Sequence, residues 1–422
     1  MLTGDLITAR DPRSTVAKQW VGRTVRIGDG LSAPESAGHL HLTRLALTDF
    51  RNYAALTWRP AARISVITGP NGSGKTNLLE AVSMLVPGRG LRTARLAELA
   101  RQGGPGRWAV AAQLGANAVA IGTGTPPDGP MDRRVFRLDG QAPRSQADIA
   151  AQIAAVWLTP QMDRLFQEGA SGRRRFLDRL VWALEPGHAR EIAAHDTAMA
   201  QRNRLLSQGD ADPAWLTGLE DSMVRHAVAA GANRRALVAR LNTALAEGAA
   251  GEFPAAQLTL LDPIAARLET APALAVEDWL RGALADSRVG DAMARSAGLG
   301  AHRADMALSD AATGLAAAQA STGQQKALLV GVVLGHAALI AEARGAPPIL
   351  LLDEPAVHLD VGRRASLLAA LAALPAQVLL TGTDSDIFAP LHGLAEGLRT
   401  GGNVLQPDPC FPSAGGVFSG VE

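Results

Sequence analysis

Gly69-Pro70-Asn71-Gly72-Ser73-Gly74-Lys75-Thr76 is the stretch on which the reading of this chain turns. The spacing Gly-x-x-x-x-Gly-Lys-Thr fits a phosphate-binding loop. In such a loop backbone N–H groups of a Gly-rich turn cradle phosphates, the lysine reaches the terminal ones and the threonine hydroxyl holds magnesium. A glycine turn that merely caps a helix is the bland alternative, and the flanks argue against it. Ile64-Ser-Val-Ile67 is a short β-branched run that ends at the loop, and Asn77-Leu-Leu-Glu-Ala-Val-Ser-Met-Leu85 continues as a helix that Pro87-Gly88 stops. Lysine is rare here: of 41 basic residues only Lys18, Lys75 and Lys326 are lysines, and Lys75 stands where the motif needs it.

At 422 residues the chain is long enough for two folded units. Apolar residues make up 47% and charged ones 19%, a globular balance, and no unbroken apolar run reaches the roughly eighteen to twenty residues of a membrane span. No membrane partner is expected. The single cysteine, Cys410, excludes an intramolecular disulfide and a cysteine-built metal site, which fits a cytoplasmic setting. A net charge of +1 gives no strong overall field toward nucleic acid, so any polyanion must be held locally. The excess of arginine over lysine looks compositional, and arginine runs carry little weight by themselves.

The texture along the chain is α/β at both ends and helical in the middle. Residues 1–38 lack periodic apolar pattern and are expected to be a disordered extension. Residues 39–172 form the first part of a nucleotide-binding lobe, 173–298 an inserted, mainly helical lobe, 299–405 the returning part of the first lobe, and 406–422 a flexible tail. Trp108 to Leu138 reads as short antiparallel strands between Gly- and Pro-rich turns. Gln324 to Ile340 reads as a helix, and Ile349–Leu352 and Val378–Leu380 as buried strands.

Two further segments carry chemistry. Asp353 follows four aliphatic residues, at the end of a buried strand where such a nucleotide site needs an acid for the magnesium shell; Glu354, next to it, is placed to polarise water for attack on the γ-phosphate. Ser321-Thr-Gly-Gln-Gln-Lys326 precedes a long helix. Alone it is an ordinary helix cap, but it stands shortly before Asp353.

The order of phosphate loop, serine-glycine helix start, Asp-Glu and then Leu359-Asp360 resembles the ABC-type ATPase heads. The resemblance implies an α/β fold with mixed sheets around a central helix, ATP and Mg2+ as cofactors, and a composite site in a head-to-head homodimer. In that arrangement Gly69 to Thr76, Asp353 and Glu354 form one half, while Ser321, Gly323 and Asp360 serve the partner's nucleotide. Lys75 and Lys326 are then expected to face nucleotides in different protomers. The glutamine that links magnesium to the middle of the head would be Gln161. The histidine usual in transporter heads is absent, leaving Thr383 or Asp384 as γ-phosphate sensors.

Within that class, His41-Leu-Thr-Arg-Leu-Ala-Leu-Thr-Asp-Phe-Arg-Asn-Tyr53, the Asn77-Leu-Leu-Glu-Ala run, Arg174-Arg-Phe-Leu-Asp178 and Gly300-Ala-His-Arg-Ala-Asp305 are similar to the RecF family of recombination and replication-repair ATPases. The likeness runs from about Leu40 to Gly401. It implies a cytoplasmic protein that dimerises on ATP, hydrolyses it slowly as a switch, binds gapped or single-strand-containing DNA, and works with RecR and RecO to load recombinase. Arg173, Arg174, Arg175 and Arg179 are candidate DNA contacts, with Arg234, Arg235 and Arg240 a second basic group. Arg51 is assigned to the nucleotide. A transporter ATPase subunit is the competing reading; the long separation of Lys75 from Ser321 argues against it, and the absence of sustained heptads argues against a long-armed SMC protein.

Overall fold

The computed structural model describes residues 41–209, 212–401 and 403–412. The expectation for residues 1–38 lies outside them. The described chain opens with a hairpin, β1 (Leu42–Phe50) and β2 (Tyr53–Trp58), in which Leu45 faces Trp58 and Phe50 faces Tyr53. β3 (Ile64–Thr68) leads into the phosphate loop and the helix Lys75–Ser83. β4 (Ala109–Leu114), β5 (Val119–Gly124) and β6 (Val135–Leu138) complete an antiparallel sheet of order β2-β1-β4-β5-β6.

β7 (Ala155–Leu158) precedes the helical region, which ends in a two-stranded pairing of β8 (Ala256–Leu261) with β9 (Asp305–Asp310). The chain then returns through the helix Thr322–Arg344, β10 (Ile349–Leu352), the helix Val361–Ala373, β11 (Val378–Gly382), β12 (Ala395–Gly401) and β13 (Val404–Pro407). The second sheet runs β13-β12-β3-β11-β10-β7, parallel throughout except for the edge strand β13. Its strands come from both ends of the sequence, so one lobe is built around the insertion.

Why the central strands are mainly aliphatic on both faces follows from their two covered sides. Ile67, Leu351 and Leu379 point to the helix Lys75–Ser83 and the antiparallel sheet, while Ile64, Val66, Leu350, Leu352, Val378 and Leu380 point to the helix Thr322–Arg344. The loop helix is sandwiched between the sheets and buries Leu78, Leu79 and Val82 completely, worth roughly 1.5–3 kcal/mol each. Thr322–Arg344 is apolar around most of its circumference. It is the one described helix long and apolar enough to cross a membrane, and most of its apolar stretch is buried inside the protein.

The helical region does not form a separate core throughout. Phe176, Leu177, Leu180 and Val181 of the helix Ala170–Leu184, and Leu237, Leu241 and Leu245 of the long helix Pro213–Ala246, pack into the same cluster as the parallel sheet. Only the outer half of that long helix, with Met223, Val224 and Ala227, builds a core of its own against Val276, Leu280 and Leu284. Two buried arginines stitch it: Arg202 to Glu220 at 2.9 Å and Asp291 at 2.7 Å, and Arg234 to Asp178 at 2.7 and 3.0 Å.

The described part of the expected tail, residues 406–412, is packed. β13 pairs with β12, Asp408 is buried and accepts the Thr68 hydroxyl at 2.9 Å, and Phe411 is buried, so residues 406–412 belong to the sheet edge. β12 and β13 are neighbours in sequence, with Gly401 facing Val404, so a local hairpin signal at Gly401-Gly-Asn403 was present and was passed over.

Candidate nucleotide site

The loop geometry is set by its glycines and their neighbours. Gly74 caps the helix at φ 104°, and a Cβ there would sit 2.4 Å from Asn52 Nδ2 and 2.9 Å from the Tyr53 hydroxyl. Only glycine accepts both constraints. Tyr53 donates to Gly74 O at 3.2 Å, and burial pushes its phenol pKa up to about 12, so it stays a donor. Ser73 Oγ lies 2.5 Å from Thr400 Oγ1 on β12, tying the loop to the sheet.

Lys75 is buried and donates to Gly69 O at 2.7 Å and Pro70 O at 3.1 Å, so its ammonium is folded back across the loop mouth. Burial lowers its pKa from the usual lysine value, against the opposing pull of Glu354 and Asp353. The Thr76 hydroxyl donates to Asp353 Oδ1 at 2.9 Å. Asp353 is itself buried at the carboxyl end of β10, and Glu354 follows it with a left-handed backbone, φ 48°.

A second set of residues braces this centre. Arg51, assigned above to the nucleotide, is instead committed to protein: Nε and Nη2 each donate to the buried Glu80 carboxylate at 2.8 Å and Nη1 to Glu98 O at 2.8 Å. It anchors the middle of the loop helix. Asn52 Oδ1 accepts from Asn77 Nδ2 at 2.7 Å, and Asn52 Nδ2 donates to Asn403 Oδ1 at 2.9 Å. These contacts give the Asp-Phe-Arg-Asn-Tyr53 and Asn77 segments a common physical purpose around the loop.

Lys326 is likewise not free to face a nucleotide. It is fully buried and donates to Asp163 Oδ2 at 3.3 Å and Glu354 O at 3.2 Å. Ser321 is exposed at the start of its helix in a reciprocal cap, Gln324 N to Ser321 Oγ at 3.3 Å and Ser321 N to Gln324 Oε1 at 2.9 Å. Gly323 leaves no room for a side chain, since a Cβ would lie 2.8 Å from His358 O. Asp360 is exposed and caps the helix Val361–Ala373 through Arg363 N at 2.9 Å. Gln161 is exposed just beyond β7, the strand beside β10. Of the two sensor candidates, Thr383 is exposed and Asp384 accepts Asp386 N at 3.0 Å.

The basic groups divide. Arg173 pairs with Asp305 through two 2.8 Å bonds, Arg174 donates to Ala304 O at 2.9 Å, and Arg179 stacks on Trp157 and Phe176 with burial pushing its pKa down to about 9. These three join the helix Ala170–Leu184 to its surroundings and do not present free guanidiniums. Arg234 is buried, as noted. Arg175, Arg235 and Arg240 are exposed.

The residue that sequence reasoning passed over is Thr381. Its hydroxyl donates to Asp353 Oδ1 at 2.7 Å and accepts Glu354 N at 2.9 Å. The signal was available only through strand register, since β11 neighbours β10 and Leu380 faces Leu352.

Hard oxygen donors, a threonine hydroxyl and one carboxylate, suit magnesium. Among the described residues no group of three or more His, Cys, Asp or Glu side chains is placed to hold a metal by itself. A magnesium ion at Thr76 and Asp353 would therefore take the rest of its shell from phosphates and water.

A phosphate loop leading into a helix between a parallel and an antiparallel sheet, a strand-end Asp-Glu pair and a capped serine-glycine helix start define an ABC-type ATPase head with an inserted helical lobe. A family model described as "AAA domain, putative AbiEii toxin, Type IV TA system" matches residues 64–115. DNA replication and repair protein RecF of Mesorhizobium japonicum is 45% identical over 87% of this chain and 98% of its own length, and that of Agrobacterium fabrum 46% identical over 84% and 95%. This chain belongs to the RecF family. A solved structure of the recombination mediator protein RecF-ATPrS in the RecFOR pathway has the same fold, with a TM-score of 0.76 at 20% identity over 88% of this chain and 98% of that one.

Proposed function

We propose that this chain is an ATP- and Mg2+-dependent DNA-binding switch of recombinational repair and replication. The observation that carries the nucleotide half is the convergence of Lys75, Thr76 and Asp353 at one loop, with Glu354 beside them. Lys75 would exchange its loop carbonyls for phosphate oxygens. Magnesium, when bound, neutralises phosphate charge, and Glu354 orients the attacking water. Ser321, Gly323 and Asp360, on the surface of the single chain, would complete the site of a second copy, so that ATP holds a homodimer together and slow hydrolysis releases it.

Family membership supports the DNA half: the relatives are named DNA replication and repair proteins, and the solved relatives are placed in the RecFOR pathway. On this reading the chain acts in the cytoplasm on gapped or single-strand-containing DNA, with RecR and RecO as partners in loading recombinase. The contacts are to phosphates, because one tyrosine and seven tryptophans in the whole chain offer few stacking platforms.

Binding of a fluorescent gapped duplex tests it. With MgATP the DNA should bind and the affinity should fall steeply as salt rises from about 50 to 200 mM. Lys75→Ala should abolish the ATP enhancement, and Glu354→Gln should prolong it by slowing hydrolysis. No DNA binding at the lower salt concentration would reject the DNA half, while Lys75→Ala behaving as wild type would reject the nucleotide half.

A further inference from the structure

β11 lies between β3 and β10 in the parallel sheet, so its carboxyl end emerges between the phosphate loop and Asp353. Leu380 faces Leu352, and the next residue along each strand is then Thr381 beside Asp353. Thr381 is fully buried. A threonine hydroxyl has one proton to give and lone pairs to accept with. Here the proton goes to Asp353 Oδ1 at 2.7 Å and a lone pair takes the Glu354 N–H at 2.9 Å.

Both bonds bear on the reacting centre. Asp353 Oδ1 also receives the Thr76 hydroxyl at 2.9 Å, so two threonines, one from the loop and one from β11, fix the same carboxylate. Glu354 sits at φ 48°, a conformation that a non-glycine residue keeps only when its surroundings hold it. Its N–H is held by Thr381 and its carbonyl by Lys326 at 3.2 Å. The direction in which the Glu354 side chain leaves the backbone is thereby set from both ends of the residue.

We propose that Thr381 is a positioning residue for both carboxylates: it orients Asp353 toward the metal position and fixes the backbone from which Glu354 reaches water. The proposal rests on the nucleotide reading given above. Mere packing at this place would be served as well by valine, which has the same shape and no hydroxyl.

The test compares Thr381→Val with Thr381→Ser in the full chain. The first readout is binding of a fluorescent ATP analogue titrated with Mg2+, alongside the same binding in EDTA; the second is turnover. Thr381→Val should raise the Mg2+ concentration for half-maximal binding by about 10-fold or more, within the range typical of outer-shell partners of a metal ligand, and lower kcat more than it raises KM. Its binding in EDTA should match wild type. Thr381→Ser keeps both hydrogen bonds and should restore the wild-type titration. A valine variant that titrates as wild type overturns the proposal, and so does a serine variant shifted as far as valine. If the valine variant fails to fold, the serine titration decides alone: wild-type behaviour supports the role and a shift overturns it. A wild-type chain that binds no nucleotide, like Lys75→Ala, would overturn the nucleotide reading together with this one.

Discussion

Glu396 on β12 faces Ser65 on β3, the strand that carries the phosphate loop. It is buried, accepting the Ser65 hydroxyl at 2.6 Å and Ala61 N at 3.1 Å, and burial pushes its carboxyl pKa from 4.5 up to about 7. The native state therefore favours the protonated form, whereas the unfolded chain ionises freely. The carboxyl's favourable contribution is complete below about pH 4.5 and is lost as the pH rises to about 7, with an upper bound of roughly 3 kcal/mol. Glutamine keeps an acceptor for Ala61 N, and the Ser65 hydroxyl can turn to accept from its amide. Urea unfolding at pH 5 and pH 8 should show wild type losing more stability across that interval than Glu396→Gln, with the difference between the two chains approaching about 2 kcal/mol. Equal losses in both chains would show that Glu396 is not the group responsible.

Helix ends explain where much of the buried arginine goes. Arg134 donates to Met84 O, Val86 O and Gly88 O just past the loop helix, Arg63 to Leu371 O, Ala372 O, Leu374 O and Ala376 O at the end of Val361–Ala373, and Arg344 to Ala150 O and Ala183 O. Carbonyls at helix carboxyl ends lack intrahelical partners and carry partial negative charge, so a guanidinium satisfies several at once. Arg134→Met should leave three carbonyls short of donors and cost about 2–4 kcal/mol in chemical denaturation, because buried groups left unsatisfied are expensive. A loss under about 0.5 kcal/mol, the size of an ordinary surface change, would place the guanidinium in solvent instead. This layer was invisible in the sequence, since a carbonyl partner has no side-chain identity and a run such as Arg173-Arg174-Arg175 reads equally as phosphate contact. The loop, the doubly covered strands and the Asp353-Glu354 pair were legible because short local patterns specify them. Arg51, Lys326 and Thr381 took their roles from strand register and long-range pairing, which no local pattern carries.

At the scale of the whole molecule, the helix Thr322–Arg344 connects a solvent-exposed end to the nucleotide centre. Ser321 and Thr322 are exposed, while Lys326, one turn further in, is buried against Asp163 and the Glu354 carbonyl. A partner's triphosphate placed at the Ser321 end would thus press on a helix whose next turn holds this chain's own catalytic candidate. An arginine at 321 loses the cap to Gln324 N, worth about 1 kcal/mol, and fills the space a second copy's phosphates would need. Thr76, Asp353 and Lys75 lie elsewhere on the chain and keep their contacts. Ser321→Arg should therefore bind MgATP as a monomer at wild-type affinity yet remain monomeric in sedimentation velocity, where the proposed function has wild type with MgATP moving to a dimer. Lost monomer binding would mean that Ser321 serves the nucleotide of its own chain, and a persisting ATP-driven dimer would mean that the two copies meet through a different surface.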